Sequence, residues 1–186
     1  MRVIRTLLPT EFGLLKDHLL RLAPEDRYLR FTGLCDDATV ARHAEGLDKF
    51  RAVVVAWIED GELRGAAELL RFDPPGATHA ELAVTVEKDW QDKGIGTELL
   101  RRALTIARNR GLDQIFMICL AENSRMRHLA EKFRGRMIVL DREVGATVDL
   151  IAPDGLSLWQ EAMDVGHAAI GSAFEQWTPR RRPKAV

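Results

Sequence analysis

The chain reads as an α+β fold around one mixed sheet, and three features of its 186 residues carry that reading. A charged, helical first third gives way at Ala52 to three consecutive strands. A glycine-containing junction then opens a long amphipathic helix, and from there strands alternate with helices to residue 152. Hydrophobic residues make up 46% and charged residues 30%, enough apolar side chain for one domain core and unlike a disordered chain. A net charge of −1 supplies no general field toward nucleic acid or a membrane surface. Cys35 and Cys119 have no pair spacing, and no Cys/His cluster offers a tetrahedral metal set. The N-terminal apolar run is broken by Arg5, Pro9 and Glu11, too short for a signal-peptide core. No segment approaches the roughly 20 apolar residues of a membrane span. The expectation is a cytoplasmic protein with reduced thiols and no metal, nucleic-acid or membrane partner.

In chain order, RVIRTL (2–7) predicts a first strand. Thr10 and Glu11 open a helix whose leucines 14, 15, 19, 20 and 22 form one apolar face. Pro24 starts a second helical stretch, PEDRYLRF, and Asp36 and Asp37 a third, DDATVARHAEGLDK. AVVVAWI (52–58) predicts a buried strand, with a hairpin turn at Asp60 and Gly61 and an antiparallel return through LRGAAELLRF. Asp73, Pro74, Pro75 and Gly76 break that strand before HAELAVTVE, completing a three-stranded meander. After the junction, TELLRRALTIARNRG has apolar residues at helical spacing and Gly111 to end it. IFMICL (115–120) predicts a buried strand, ENSRMRHLAEKF a helix, and 136–140 and 146–152 the last two strands. GLSLWQEAMDVGHAAIGSAFEQW predicts a C-terminal helix before the basic tail TPRRRPKAV. The expected division is a domain over 1–153 and a helical, basic extension over 154–186.

The junction DKGIGTEL admits three readings beyond a simple turn. A nucleoside-triphosphate loop needs a lysine after its second glycine, and none is present. A dinucleotide fingerprint needs a third glycine where Leu99 stands. An anion cradle requires only glycines that let backbone approach a ligand and free amides at a helix N-terminus, and this fits.

Val84-x-Val86, Gln91-x-x-Gly94-x-Gly96-Thr97 and Leu99-Leu100 together resemble the acetyl-CoA-binding motif of the GNAT superfamily of N-acetyltransferases. Asn123-Ser124-Arg125-Met126-Arg127-x-Leu129-Ala130 resembles the family's second motif, and the likeness covers roughly residues 2 to 152. The resemblance implies a mostly antiparallel sheet flanked by helices, with acetyl-CoA as acyl donor and no metal. It places the pyrophosphate on the loop Gln91, Asp92, Lys93, Gly94, Ile95, Gly96 and Thr97, and pairs the pantetheine arm with Val84 and Val86 as an added strand. Asn123 would hydrogen-bond the pantetheine or the amine, or serve as a helix cap. Arg101, Arg102 and Arg127 are equal candidates to meet the 3′-phosphate, or are solvated residues of helix faces.

An amine attacks a thioester only when neutral, and a lysine-like ammonium has a pKa near 10.4, so a base is useful. Glu81 is the one acid within the run 79–86. A half-desolvated carboxylate beside the groove makes it the candidate base, with Glu68 its competitor. Many members of the family place a tyrosine in the second motif as acid for the leaving thiolate; counting from Asn123, that position is Ala130. The phrases PEDRYLRF, AELAVTVEKDWQDKGIGTELL and NSRMRHLA resemble bacterial protein lysine acetyltransferases of the Pat type, in which alanine commonly replaces that tyrosine. The implied acceptor is a primary amine on a small molecule or a protein lysine, and the protein a monomer or homodimer. The alternative is an acyl-CoA-binding sensor or regulatory module without turnover.

Overall fold

The computed structural model describes residues 2–72 and 76–177, with side chains described as far as residue 166. The expected break at Asp73, Pro74 and Pro75 and the basic tail from 178 onward lie outside the described residues. Strand β1 (Arg2–Thr6) leads through a short 3₁₀ turn into helices α1 (Phe12–Arg21), α2 (Pro24–Phe31) and α3 (Asp37–Glu45). The meander is β2 (Ala52–Glu59), β3 (Glu62–Arg71) and β4 (His79–Val86). Helix α4 (Ile95–Asn109), β5 (Gln114–Leu120), α5 (Ser124–Lys132), the hairpin β6 (Arg136–Leu140) and β7 (Glu143–Asp149), and α6 (Gly155–Trp177) complete the chain.

The strands form one sheet in the order β1-β2-β3-β4-β5-β7-β6. Every neighbouring pair is antiparallel except β4 and β5. The fold class is therefore the expected one. The turn between β2 and β3 has Asp60 at φ 53° and Gly61 at φ 81°, the double left-handed geometry that favours Asp-Gly. The parallel pair requires a crossover, and α4 supplies it.

Side chains alternate between two cores, one on each face of the sheet. Alternate residues of β2 to β5 and β7, including Val55, Ala67, Leu82 and Met117, pack with Leu99, Leu100 and Ala103 of α4 and Met126 and Ala130 of α5. On the opposite face Val54, Ala56 and Ala66 meet Leu15 and Leu19 of α1 and Val40 and Ala44 of α3. The near-complete apolar run of β2 follows from burial on both faces.

Two strand expectations need correction. The last strand spans 143–149 rather than 146–152, because the hairpin turns at once at Asp141, φ 54°, and Gly145 lies in the strand between Ile118 and Ile138. The segment 115–120 is not buried throughout: Ile115, Met117 and Cys119 are core on one face, while on the other Ile118 is 53% exposed. No described helix of the α1–α3 group extends across β7 and β6, which leaves that end of the face open; every residue of β6 is exposed.

Helix α6 packs on β1 and α4. Asp164 takes Arg101 and Arg102 at 3.2 and 3.1 Å, and Asn109 donates to the Ser157 carbonyl and the Glu161 carboxylate. No described helix is long and apolar enough to cross a membrane.

Candidate active site

Strands β4 and β5 start in register and then part. Their pairing covers only His79–Gln114, Ala80–Ile115 and Glu81–Phe116; from Leu82 on, β4 is bonded to β3 alone. The His79 carbonyl accepts from the Phe72 amide and the Glu87 amide donates to the Arg64 carbonyl, both on the β3 side. Alternation therefore turns the backbone groups of Val84 and Val86 toward the gap, an edge without a strand partner, on which the Val86 carbonyl accepts from the Gln91 side chain. A cleft of about 260 Å³ occupies this gap, roofed by α2 and bounded by α5.

Beyond β4 the chain passes through a 3₁₀ turn at Lys88–Trp90 and reaches α4 by two left-handed residues, Asp92 at φ 58° and Gly94 at φ 77°. Gly94 is the N-cap of α4, so the amides of Ile95, Gly96 and Thr97 have no carbonyl one turn behind them; the first intrahelical bond is from Glu98 to Gly94. A Cβ on Gly96 would lie 3.8–3.9 Å from Val84, Val86 and Leu129, filling the cleft where these three residues meet. Open amides, a helix N-terminus and a glycine kept bare beside the free edge fit a phosphate-bearing ligand with an extended arm.

Val84, Val86, Gln91, Asp92, Gly94, Ile95, Gly96, Thr97 and Asn123 all line the cleft. Gln91 acts there through its side chain, which donates to the Val86 carbonyl at 2.9 Å and to Asp26 at 3.0 Å; its own amide is spent on Lys88. Gln91 thus pins the loop to the strand end, leaving open amides to the residues after it. Asn123 caps α5, its Oδ1 accepting from the Met126 amide at 3.1 Å, and lines the cleft as well.

Lys93, Arg127 and Glu81 lie off the cleft lining. The Lys93 ammonium rests over the Trp90 ring, 4.9 Å from its centre. Arg127 lies beside Cys119, where its charge opposes the burial that pushes the Cys119 thiol up. Arg101 and Arg102 are held by Glu98 and Asp164, and Arg102 also by the Ile4 carbonyl, on the far side of α4. Glu81 is half-buried at the last rung shared by β4 and β5, because the splay begins only after it. It shares a sheet face with Ala83 and Thr85, which do line the cleft.

Glu68 is 6% exposed and bound by Arg30 at 3.0 Å and His43 at 2.7 Å. Burial alone would raise its pKa, but the Arg30 charge and the His43 bond outweigh it and hold the carboxyl at about 2. So weak a base is unsuited to deprotonating an ammonium at neutral pH.

The sequence reading singled out none of three cleft residues, Asp26 and Arg30 of α2 and His128 of α5. Asp26 and Arg30 of α2 lie one turn apart, and Asp26 meets Arg125 across the gap at 3.3 Å. Arg125, His128 and Leu129 form one face of α5, at a spacing of three and four; Arg125 and Leu129 belong to the second-motif likeness, and His128 carried no signature of its own. Ala130, at the position of the absent tyrosine, is 2% exposed. Among the described residues no His, Cys, Asp and Glu group could hold a metal.

The model of the acetyltransferase (GNAT) family matches residues 17–135, more than half of the chain. Acetyltransferase PA5475 of Pseudomonas aeruginosa is 33% identical over 115 residues, covering 59% of this chain and 61% of that protein. The match thus spans under two thirds of that relative's length. Among solved structures, the GNAT domain of S. lividans PAT superposes with a TM-score of 0.67 at 21% identity, over 79% of this chain and 89% of that one. A paiA N-acetyltransferase from Thermoplasma acidophilum, in complex with coenzyme A, superposes with a TM-score of 0.61 at 18% identity, over 80% of this chain and 99% of that one.

Proposed function

Since the chain belongs to the acetyltransferase (GNAT) family, we propose that it is an acetyl-CoA-dependent N-acetyltransferase acting on a primary amine, with a protein lysine as acceptor. The observation that carries the reading is the free β4 edge at Val84 and Val86, running into the open amides of Ile95, Gly96 and Thr97. An extended pantetheine arm would pair with that edge, and the pyrophosphate would meet the amides at the positive end of α4. Acetyl-CoA supplies the activated acyl group. The acceptor nitrogen bonds to the acetyl carbon, the carbon–sulfur bond breaks, and the nitrogen sheds a proton.

Glu81 is the proposed base: a half-buried carboxylate at the apex of the splay, on the sheet face with Ala83 and Thr85. With alanine at position 130, thiolate departure relies on solvent and on its modest basicity, a thiol pKa being about 8.5. Protein lysine is favoured by the likeness to Pat-type enzymes in PEDRYLRF, NSRMRHLA and Ala130, and by the open sheet face around Ile118 and Ile138, which leaves room for a large acceptor. We assign the reaction to residues 1–153, place the protein in the cytoplasm, and treat the C-terminal segment as a brace on α4.

The test is thiol release from acetyl-CoA with lysine peptides, polyamines and amino acids as acceptors. Turnover with lysine peptides is expected. Coenzyme A binding without transfer to any amine would replace the enzyme with a binding module, and turnover confined to free amino acids would remove the protein acceptor.

A further inference from the structure

The splayed half of β4 has lost one of its two strand neighbours, yet its backbone edge must stay in place to pair with a ligand. A buried histidine stands behind it. His18, on α1, is fully buried; its Nε2 lies 2.9 Å from Thr85 Oγ1 and its Nδ1 3.1 Å from Glu87 Oε1. Thr85 and Glu87 flank Val86, so one imidazole grips the strand on both sides of the residue whose edge faces the gap. Glu87 is held in turn by Arg21 at 3.0 Å and Arg64 at 2.8 Å, and its carboxyl is drawn down to about 2: burial opposes ionisation, but the bonds to His18 and Arg64 outweigh it. Between Leu15 and Leu19, both fully buried, α1 has little freedom to shift.

We propose that His18 is a positioning residue for the acyl-CoA groove, setting through Thr85 and Glu87 where the free edge of β4 stands. This rests on reading the gap between β4 and β5 as that groove. Side chains two residues apart on a strand are separated by roughly 6.6 Å, a span that a ring with nitrogens at two corners can bridge. An asparagine can reproduce only the contact near Nδ1 and a glutamine only that near Nε2. A buried apolar residue would fill the space and grip neither. The arrangement explains why a core position on an otherwise leucine-rich face carries a histidine.

The test uses His18→Gln, Thr85→Val and Thr85→Ser in the full chain, with coenzyme A affinity by calorimetry, KM for acetyl-CoA and kcat measured side by side. Losing a buried hydrogen bond should weaken coenzyme A binding and raise KM about tenfold in His18→Gln and Thr85→Val, with kcat within about twofold. Thr85→Ser, which keeps the hydroxyl, should restore both to near wild-type values. Unchanged affinity and KM alongside a lowered melting temperature would make His18 a core residue only and overturn the proposal, as would a fall in kcat alone. Wild-type protein that fails to bind coenzyme A would instead overturn the reading of the groove, which separates the two failures.

Discussion

The two walls of the cleft are built from different material. The β4–α4 wall presents backbone: the edge of Val84 and Val86 and the amides of Ile95, Gly96 and Thr97, with Gly94 supplying the left-handed turn. The β5–α5 wall presents side chains: Asn123, Arg125, His128 and Leu129. Backbone recognition needs glycines at set places and so leaves a trace in the sequence. Side-chain recognition from a helix face uses residues that also decorate any solvated helix, and Asn123 already has a structural duty as a cap. The backbone wall should be damaged by adding a side chain, and the side-chain wall by removing one.

The largest effect should come from Gly96→Trp. The indole would enter the space between Val84, Val86 and Leu129, and coenzyme A affinity should fall by on the order of a hundredfold while the circular dichroism spectrum and melting temperature stay near wild type. Normal binding by this variant would break the comparison at its strongest point. Glu81 belongs to neither wall, sitting where they part. Glu81→Gln should lower kcat roughly a hundredfold at pH 7, the range expected for loss of a base, with the deficit shrinking as pH approaches the lysine pKa. A parallel pH profile in the variant would remove Glu81 from proton transfer.

The roof tests a different property, because α2 is tied to the sheet through Arg30 and Glu68. With the Glu68 carboxyl at about 2 in the folded protein and near 4.5 unfolded, the unfolded chain binds the extra proton between those values. Its stabilisation is complete above about pH 4.5 and is lost as pH falls toward 2, an effect on the order of a few kcal/mol. Glu68→Gln should therefore show a flatter decline in denaturant midpoint across that acid window, besides lower stability at pH 7 from leaving Arg30 unpaired. Identical slopes in both proteins would contradict the pairing. Asn123→Ala should cost about 1 kcal/mol of stability as a lost cap and weaken coenzyme A binding by about threefold. Smallest of all, Lys93→Ala should change affinity by less than about twofold, since its ammonium is committed to Trp90. A large loss in Lys93→Ala would show that the loop binds through its side chain after all.

Legibility followed the same divide. Helix α2 and strand β6 appear at the boundaries their patterns predict, and the meander at nearly those boundaries, because apolar period and turn residues act locally. The left-handed turn and the helix start that leave amides open were legible from Gly94 and Gly96. What the sequence could not reveal depends on where β4 and β5 part, a property of the pairing of two distant segments. That one unknown decided that Glu81 stands at the apex rather than in the lining, while the meeting of Thr85 and His18 depends on how α1 packs against the sheet. The shifted last strand has a simpler cause: Gly145 looks like a breaker, but across from Ile138 it occupies an ordinary strand position.

Amide chemical shifts read directly whether the backbone at the start of α4 receives the pyrophosphate, as proposed. Titration of ¹⁵N-labelled protein with coenzyme A should move the Ile95, Gly96 and Thr97 amides strongly downfield. Dephospho-coenzyme A should reproduce the shift, and pantetheine, which lacks the pyrophosphate, should not. Saturable binding of coenzyme A that leaves these three amides unmoved would contradict the account.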